Sequence, residues 1–239
     1  MRSHGKTWLI VLSVVLVLVC TSEEKAVAQG SAVGKQGVER TQSTDHELAA
    51  LLKRLKEGRN PGDVERDASG NVVSVVLRWT NANDRALFLV STLGSLQELT
   101  IAGRGRPETG EWTREGISYL GKLTNLVTLR VACLGLKPLL KEGVLEEICN
   151  LRRLKSLTLM AAYPERSEYV ALTNLQDLAE LNLSCATNFG DTEFCSLTNL
   201  VNLRSLSIYG DAVSREGTNV LSRMRRLTNA TVRIRTSLP

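Results

Sequence analysis

The chain is built on one recurring apolar pattern, shown most clearly by residues 117–131, ISYLGKLTNLVTLRV, and by residues 194–208, FCSLTNLVNLRSLSI. Each stretch ends in six residues whose first, fourth and sixth side chains are apolar, while those between are mostly polar. The six-residue pattern starts seven times, at Val72, Leu96, Leu126, Leu154, Leu178, Leu203 and Leu227. Neighbouring starts are 24 to 30 residues apart, and a period in the twenties indicates a solenoid of stacked units.

Each unit predicts a strand, a loop and a short helix. The end of the pattern alternates between apolar and polar residues, which is typical of a strand with one buried face. Upstream, apolar residues recur three apart, as Phe194, Leu197 and Leu200 do before Leu203, and this spacing favours a short helix that is partly 3₁₀. Because each unit runs from strand to loop to helix, the strands of neighbouring units are expected to be parallel. The apolar stripe of each helix is buried only when the units stack on one another.

Two similar turns mark predicted helix starts. Thr113-Arg114-Glu115-Gly116 and Ser214-Arg215-Glu216-Gly217 both lie 13 residues before a pattern start. The hydroxyl can cap a helix, and the Glu in the first turn is favoured by the helix dipole.

These patterns resemble the leucine-rich repeat family, whose consensus is L-x-x-L-x-L-x-x-N/C-x-L. The resemblance covers about residues 64–239, and the two turns are similar to the T-D-x-G-L turn of exported bacterial members. It implies a right-handed α/β solenoid, or horseshoe, with a parallel concave sheet of about seven strands and short helices on the convex side. The consensus Asn/Cys position holds Thr80, Arg104, Leu134, Ala162, Ala186, Asp211 and Arg235. An internal Asn ladder at that position is therefore expected to be absent.

Residues 1–28 have the features of a secretory signal peptide. A basic start precedes an apolar run at residues 7–20, and Ala26-Val27-Ala28 provides a small-residue cleavage site. The apolar run has 14 residues, which is short for a bilayer core of roughly 30 Å. Cleavage predicts a secreted or periplasmic protein. Two alternatives stay open, namely an uncleaved membrane anchor and a lipid attached to Cys20.

The rest of the chain divides into three predicted parts. Residues 29–43 are small and polar and predict a disordered tether. Residues 44–71 predict an N-terminal cap, in which Thr44 to Glu47 form a capping box at the start of a helix and a strand then turns into the first repeat. Residues 72–239 hold about seven repeats.

The amino-acid composition does not favour an enzyme. The chain contains only two His residues, His4 and His46, and only His46 remains after signal cleavage. The sequence lacks phosphate-binding, nucleophile-elbow and zinc-ligand motifs, so we expect no catalytic residue, cofactor or metal. Gly103 to Arg106 form a basic segment, interpreted either as a flexible insertion or as a loop for an anionic ligand. The net charge is +5, and the charges form no contiguous Lys/Arg block, so a nucleic-acid partner is not expected.

Four cysteines follow the signal segment, at Cys133, Cys149, Cys185 and Cys195. Parallel strands lie about 4.8 Å apart, so Cys133 and Cys185, two repeats apart, are separated by about 10 Å. A disulfide needs Cα atoms within about 7 Å. We interpret the four as partly buried free thiols, and a Cys185–Cys195 bond within one repeat is the alternative.

The resemblance implies that pattern positions two, three, five and seven face the concave side and recognise a protein. Aromatic and arginine side chains are the usual interface hot spots, and charged or amide residues set the charge pattern. The candidate partner-binding residues are Glu98, Arg130, Lys155, Glu180, Asn182, Arg204 and Tyr209. The sequence thus predicts an exported, non-enzymatic protein-binding module, with the membrane involved only through an uncleaved N-terminus. The alternative is an envelope-associated scaffold held by such an anchor.

Overall fold

The computed structural model describes residues 42–57, 61–78, 82–104, 113–134, 143–160 and 165–234. The predicted signal peptide and nearly all of the predicted tether lie outside these residues. The chain divides into two units, Met1–Ala49 and Ala50–Pro239. A helix, α1, covers residues 42–56. It already includes residues 42 and 43, so Thr44 lies inside the helix and the predicted capping box there is wrong.

Eight strands form one sheet in the order of the chain. β1 is antiparallel to β2, and all later neighbours are parallel. The strands are β1 Val64–Arg66, β2 Val72–Arg78, β3 Glu98–Arg104, β4 Thr128–Leu134, β5 Ser156–Met160, β6 Glu180–Gly190, β7 Ser205–Ala212 and β8 Asn229–Ile234. Seven of them coincide with the seven copies of the pattern, and β1 adds an antiparallel strand at the N-terminal edge.

A short helix separates each pair of parallel strands. The α-helices are α2 Asp84–Ser91, α3 Arg114–Leu120, α4 Val144–Ile148, α5 Asp191–Ser196 and α6 Arg215–Thr218. The 3₁₀ helices are Pro61–Asp63, Arg166–Asn174, Leu197–Asn199 and Asn219–Arg223. Apolar residues three apart give α-helix in some repeats and 3₁₀ helix in others, as the spacing predicts. The architecture is a leucine-rich-repeat solenoid, which confirms the predicted fold class.

Pattern positions four and six build the core. Strand pairing aligns the position-four residues Leu99, Leu129, Leu157, Leu181 and Leu206 in one row, and each is at most 2% exposed. Full burial of a Leu or Ile side chain contributes about 1.5–3 kcal/mol. The stacked rows therefore supply the stability that one repeat could not supply alone.

Aromatic side chains fill the core beside β6. The Tyr169 ring meets Phe189 edge-on at 4.8 Å between centroids, and Phe189 meets Phe194 in the same way at 6.2 Å. All three side chains are at most 1% exposed. Such edge-to-face pairs add about 0.5–1.5 kcal/mol beyond the burial of their surface.

Carboxylates join the start of one helix to the start of the next. Asp84, the first residue of α2, accepts hydrogen bonds from the Thr113 backbone N–H at 3.1 Å and from the Thr113 hydroxyl. The same Thr113 oxygen accepts from the Gly116 N–H at 3.3 Å, so it caps α3 as predicted.

The same arrangement recurs four repeats later. Asp191, the first residue of α5, accepts from the Ser214 N–H and hydroxyl, both at 2.7 Å. Ser214 in turn accepts from the Gly217 N–H at 3.0 Å. We call each set of Asp, hydroxyl and Gly residues an inter-repeat clamp.

Candidate functional site

The paired strands place the predicted binding rows side by side. The position-three residues are Cα partners in successive strands, namely Ser74, Glu98, Thr128, Ser156, Glu180, Ser205 and Asn229. The position-five residues align likewise, namely Val76, Thr100, Arg130, Thr158, Asn182, Ser207 and Thr231. Positions three and five alternate with the buried positions four and six, so both rows lie on the face of the sheet opposite the core, and the exposed position-two residues Lys155 and Arg204 adjoin them. We call this the open face.

Most of the seven candidate residues lie near one another on β4 to β7. Glu98, Arg130, Lys155, Glu180 and Arg204 are exposed, Asn182 is half-buried, and Tyr209 is 37% exposed. Glu98 lies on β3, and its partner on β4, Thr128, is two residues from Arg130. Arg130 and Asn182 share the position-five row, separated by Thr158.

Opposite charges alternate along consecutive repeats of the open face. The Glu180 backbone N–H donates to the Lys155 carbonyl at 2.9 Å, so these residues are neighbours across β5 and β6. The Glu180 carboxylate also accepts from the Ser156 hydroxyl at 3.0 Å. Arg204 follows in the next repeat, where its N–H donates to the Ala179 carbonyl at 2.8 Å. An acidic side chain thus stands between two basic ones.

Asn182 and Tyr209 close the C-terminal part of this surface. The Asn182 amide oxygen accepts from the Ser184 hydroxyl at 3.2 Å. Ser184 is the strand partner of Tyr209, so the amide and the phenol lie on adjacent strands about two residues apart. The pair offers a hydrogen-bonding group next to an exposed tyrosine, and tyrosine is one of the residue types enriched at interface hot spots.

Arg78, at position seven of the first repeat, binds a residue of the predicted N-terminal cap. Its guanidinium donates two hydrogen bonds to the Asp63 carboxylate, at 2.9 and 2.8 Å. Asp63 is only 5% exposed, so this bidentate pair holds the 3₁₀ helix Pro61–Asp63 against β2. Hydrogen bonding to Asp63 raises the pKa of Arg78 further above its ordinary value.

The cysteine prediction is settled for two residues. Cys149 is a buried free thiol and Cys195 an exposed one. Because Cys195 is free, the Cys185–Cys195 disulfide that the sequence left open is not formed. The Cys133 and Cys185 side chains lie outside the described part of the structure.

Two negative findings concern the described residues. In those residues, no group of three or more His, Cys, Asp or Glu side chains is placed to hold a metal ion. Their helices are also too short or too polar to cross a bilayer. Gly103 and Arg104, taken for part of a loop, belong to β3, and the other half of that basic segment lies outside the described ranges.

The turns that lead into the strands carry a feature that the sequence analysis missed. Asn125, one residue before its pattern, donates to the Gly94 carbonyl of the preceding repeat at 2.7 Å and accepts from Arg153 of the following repeat at 2.8 Å. The signal was visible as polar residues recurring at the position before each pattern start.

Asn202 repeats these contacts three repeats later. Its amide donates to the Gln176 carbonyl at 2.9 Å and accepts from Arg226 at 2.6 Å. We call the six stacked turns the strand-start edge, formed by residues 92–97, 122–127, 150–155, 174–179, 199–204 and 223–228.

No protein-family model matches the chain, and no curated protein matches it significantly. Among solved structures it is similar to an internalin from Listeria monocytogenes, at 20% identity and a TM-score of 0.45, over 62% of this chain and 39% of the internalin. It is also similar to the leucine-rich repeat ectodomain of the Arabidopsis receptor kinase HAESA in complex with a peptide hormone, at 16% identity and a TM-score of 0.46, over 80% of this chain and 37% of that one. A plant peptide hormone receptor, RGFR1, in complex with RGF2 matches at 14% identity and a TM-score of 0.35, over 71% of this chain and 32% of the receptor. The chain spans at most 39% of the length of these structures, and its fold assignment rests on its own strand pairing.

Proposed function

We propose that this chain is an exported, non-enzymatic module that binds a partner protein through the open face. The binding residues in this proposal are the seven named from the sequence: Glu98, Arg130, Lys155, Glu180, Asn182, Arg204 and Tyr209. The N-terminal 28 residues would direct export.

The observation that carries the proposal is the continuity of the open face. Seven parallel strands keep positions three and five in unbroken register from Ser74 to Asn229 and from Val76 to Thr231. Backbone pairing fixes these rows before any partner arrives, so little conformational entropy is lost when one binds. A rigid, mostly polar surface with mixed charges suits a protein partner, because both signs of charge can be matched.

The test is a capture experiment with matched variants. Residues 29–239 would be immobilised and exposed to envelope extract and medium from the source cells, with captured proteins identified by mass spectrometry. The face variant, Arg130→Glu with Tyr209→Ala, removes an exposed cation on β4 and an exposed aromatic ring on β7 of the candidate surface.

The control changes a similar pair on the helical side. Arg114→Glu with Val170→Ala replaces an exposed cation and a 54% exposed apolar side chain. A partner held by wild type and control but lost by the face variant supports the proposal. Equal capture by all three proteins contradicts it and favours a scaffold without an open-face ligand.

A further inference from the structure

The strand-start edge carries more positive charge than the whole chain. Its six turns contain eight basic residues, Lys122, Arg152, Arg153, Lys155, Arg204, Arg223, Arg225 and Arg226, and one acidic residue, Asp177. The formal net charge of the edge is therefore +7, against +5 for the complete sequence. The remainder of the chain is slightly acidic.

Backbone hydrogen bonds hold the turns in a row. Lys155 N–H donates to the Val127 carbonyl, Ala179 N–H to Lys155, and Arg204 N–H to Ala179, each at 2.8 Å. With about 4.8 Å between neighbouring strands, the six turns extend over about 24 Å. At the N-terminal end the β1–β2 hairpin adds Arg66 and Asp67, whose charges cancel.

The cations of the edge are exposed, and three of them have defined positions. Arg153 and Arg226 are oriented by their bonds to Asn125 and Asn202. Lys122 lies over the Tyr119 ring at 4.7 Å. The strongest concentration is at the C-terminal end, where Arg204 adjoins the three arginines of residues 223–226.

The neighbouring row has the opposite sign. Position three, the next outward-facing row after position two, contains Glu98 and Glu180 and no basic residue. A nucleic acid, which carries a phosphate on every nucleotide, would be attracted by the edge and repelled by the glutamates of the position-three row. The six turns also contain no aromatic residue, although stacking on aromatic rings is the usual support for single-stranded nucleic acid.

We propose that the strand-start edge docks an acidic, extended segment of the protein partner. Arginine guanidinium groups pair with carboxylates through two parallel hydrogen bonds, and a polypeptide can place basic residues against Glu98 and Glu180 at the same time. This inference rests on the proposed function, because it assigns the charge of the part of the partner that crosses this edge.

The experiment measures fluorescence anisotropy of a short labelled poly-glutamate peptide with the folded chain, residues 29–239. The edge variant is Arg152→Glu, Arg223→Glu and Arg225→Glu, which leaves the two bridging arginines in place. The control variant is Arg54→Glu, Arg114→Glu and Arg215→Glu, which changes the net charge equally at exposed positions off the edge. Circular dichroism and urea unfolding would check that both variants keep the fold.

We expect the edge variant to bind the peptide at least about tenfold more weakly, from three lost ion pairs, and the control to stay within about twofold. Equal weakening by both variants would overturn the inference, since net charge alone would then explain binding. Tighter binding of wild type to duplex DNA or to phosphatidylglycerol vesicles, with the same edge dependence, would also overturn it in favour of those ligands. Glu98→Gln with Glu180→Gln should strengthen DNA binding, and no change would contradict the repulsion argument.

The face and edge variants share no residue, so the two proposals can fail separately. If the face variant loses the captured partner while the edge variant binds the peptide as well as wild type does, only the inference about the edge is contradicted. If the face variant captures the same proteins as wild type, the proposed function is contradicted.

Discussion

Gly116 and Gly217 are required by close approach. A methyl group on Gly116 would collide with the Asp84 carboxylate, and one on Gly217 with that of Asp191. Each aspartate belongs to the preceding helix and already bonds to the hydroxyl residue three positions before the glycine. Because the glycine of the Thr/Ser-Arg-Glu-Gly turn has no side chain, the carboxylate of the neighbouring repeat can pack directly against its backbone.

The first prediction concerns Gly116→Ala. Overpacking of this kind costs about 1–3 kcal/mol, partly offset by the better helix propensity of Ala, about 1 kcal/mol. We expect the free energy of unfolding to fall by up to about 2 kcal/mol, measured by urea denaturation. Gly94→Ala is the control, because a methyl group there meets open space. In an Asp84→Ala background Gly116→Ala should lose its cost, and an undiminished cost would show that Asp84 is not the cause.

The second prediction concerns the rates at which two thiols react. Burial, with a further contribution from the charge of Glu168, raises the pKa of Cys149 to about 12. Because the thiolate is the reactive form, iodoacetamide should modify exposed Cys195 much faster than Cys149 in the folded protein. Peptide mapping by mass spectrometry would follow each site, with the urea-unfolded chain as the control in which both react. Equal rates in the folded state would mean that the helix around Cys149 opens readily.

At the scale of the elements, carboxylates decide how neighbouring helices begin. Glu168, only 6% exposed, accepts from the backbone N–H of Gly143 and of Leu145 in the preceding repeat, at 3.0 and 3.3 Å. Glu193, 4% exposed, accepts from the Gly190 N–H at 2.9 Å and pairs with Arg166. The starts of α4 and α5, which lack a hydroxyl cap, are thus satisfied by carboxylates, from the following repeat for α4 and from the helix itself for α5.

The third prediction is a pH dependence of the clamp between α5 and α6. Hydrogen bonds from the Ser214 hydroxyl and backbone lower the pKa of Asp191 below its ordinary value of 3.8. A lowered pKa in the folded state means that the carboxylate stabilises the fold above pH 3.8, and that this contribution is lost as the pH falls through the folded value. Asp191→Asn should therefore unfold at lower urea concentration than wild type at neutral pH.

The difference between Asp191→Asn and wild type should shrink in acid. Exposed Asp177→Asn, away from the clamps, serves as the control and should track wild type throughout. A constant difference from neutral pH down to pH 3 would show that the amide disrupts packing and that the charge of Asp191 contributes nothing.

The sequence predicts the elements well and the contacts between repeats poorly. Seven strands, their register and the caps at Thr113 and Ser214 follow from periodicity, because the apolar spacing alone fixes which residues face the core. The bridges of Asn125 and Asn202, and the basic edge around them, join residues about one repeat apart. A search for contiguous charged blocks overlooks a cluster that forms only when turns from different repeats stack.

At the scale of the whole molecule, every strand pairs only with its neighbours in sequence. Stability in such an array is close to a sum of terms for single repeats and for the interfaces between neighbours. Central repeats have two interfaces, whereas the last strand, β8, is bonded only to β7 within the described sheet. Burial follows the same trend, since Leu206 is 1% exposed and its partner Ala230 is exposed.

The last prediction compares the same pattern position in a central and a terminal repeat. Leu154 and Leu227 both occupy position one, but Leu154 is 0% exposed whereas Leu227 is half-buried. Leu154→Ala should cost about 2–5 kcal/mol, the range for fully buried leucines. Leu227→Ala should cost less than half as much, because its surroundings are already partly hydrated. Urea unfolding at neutral pH gives both values, and equal costs would mean that the last repeat is as firmly packed as the centre, contrary to a stability that declines with the number of neighbouring repeats.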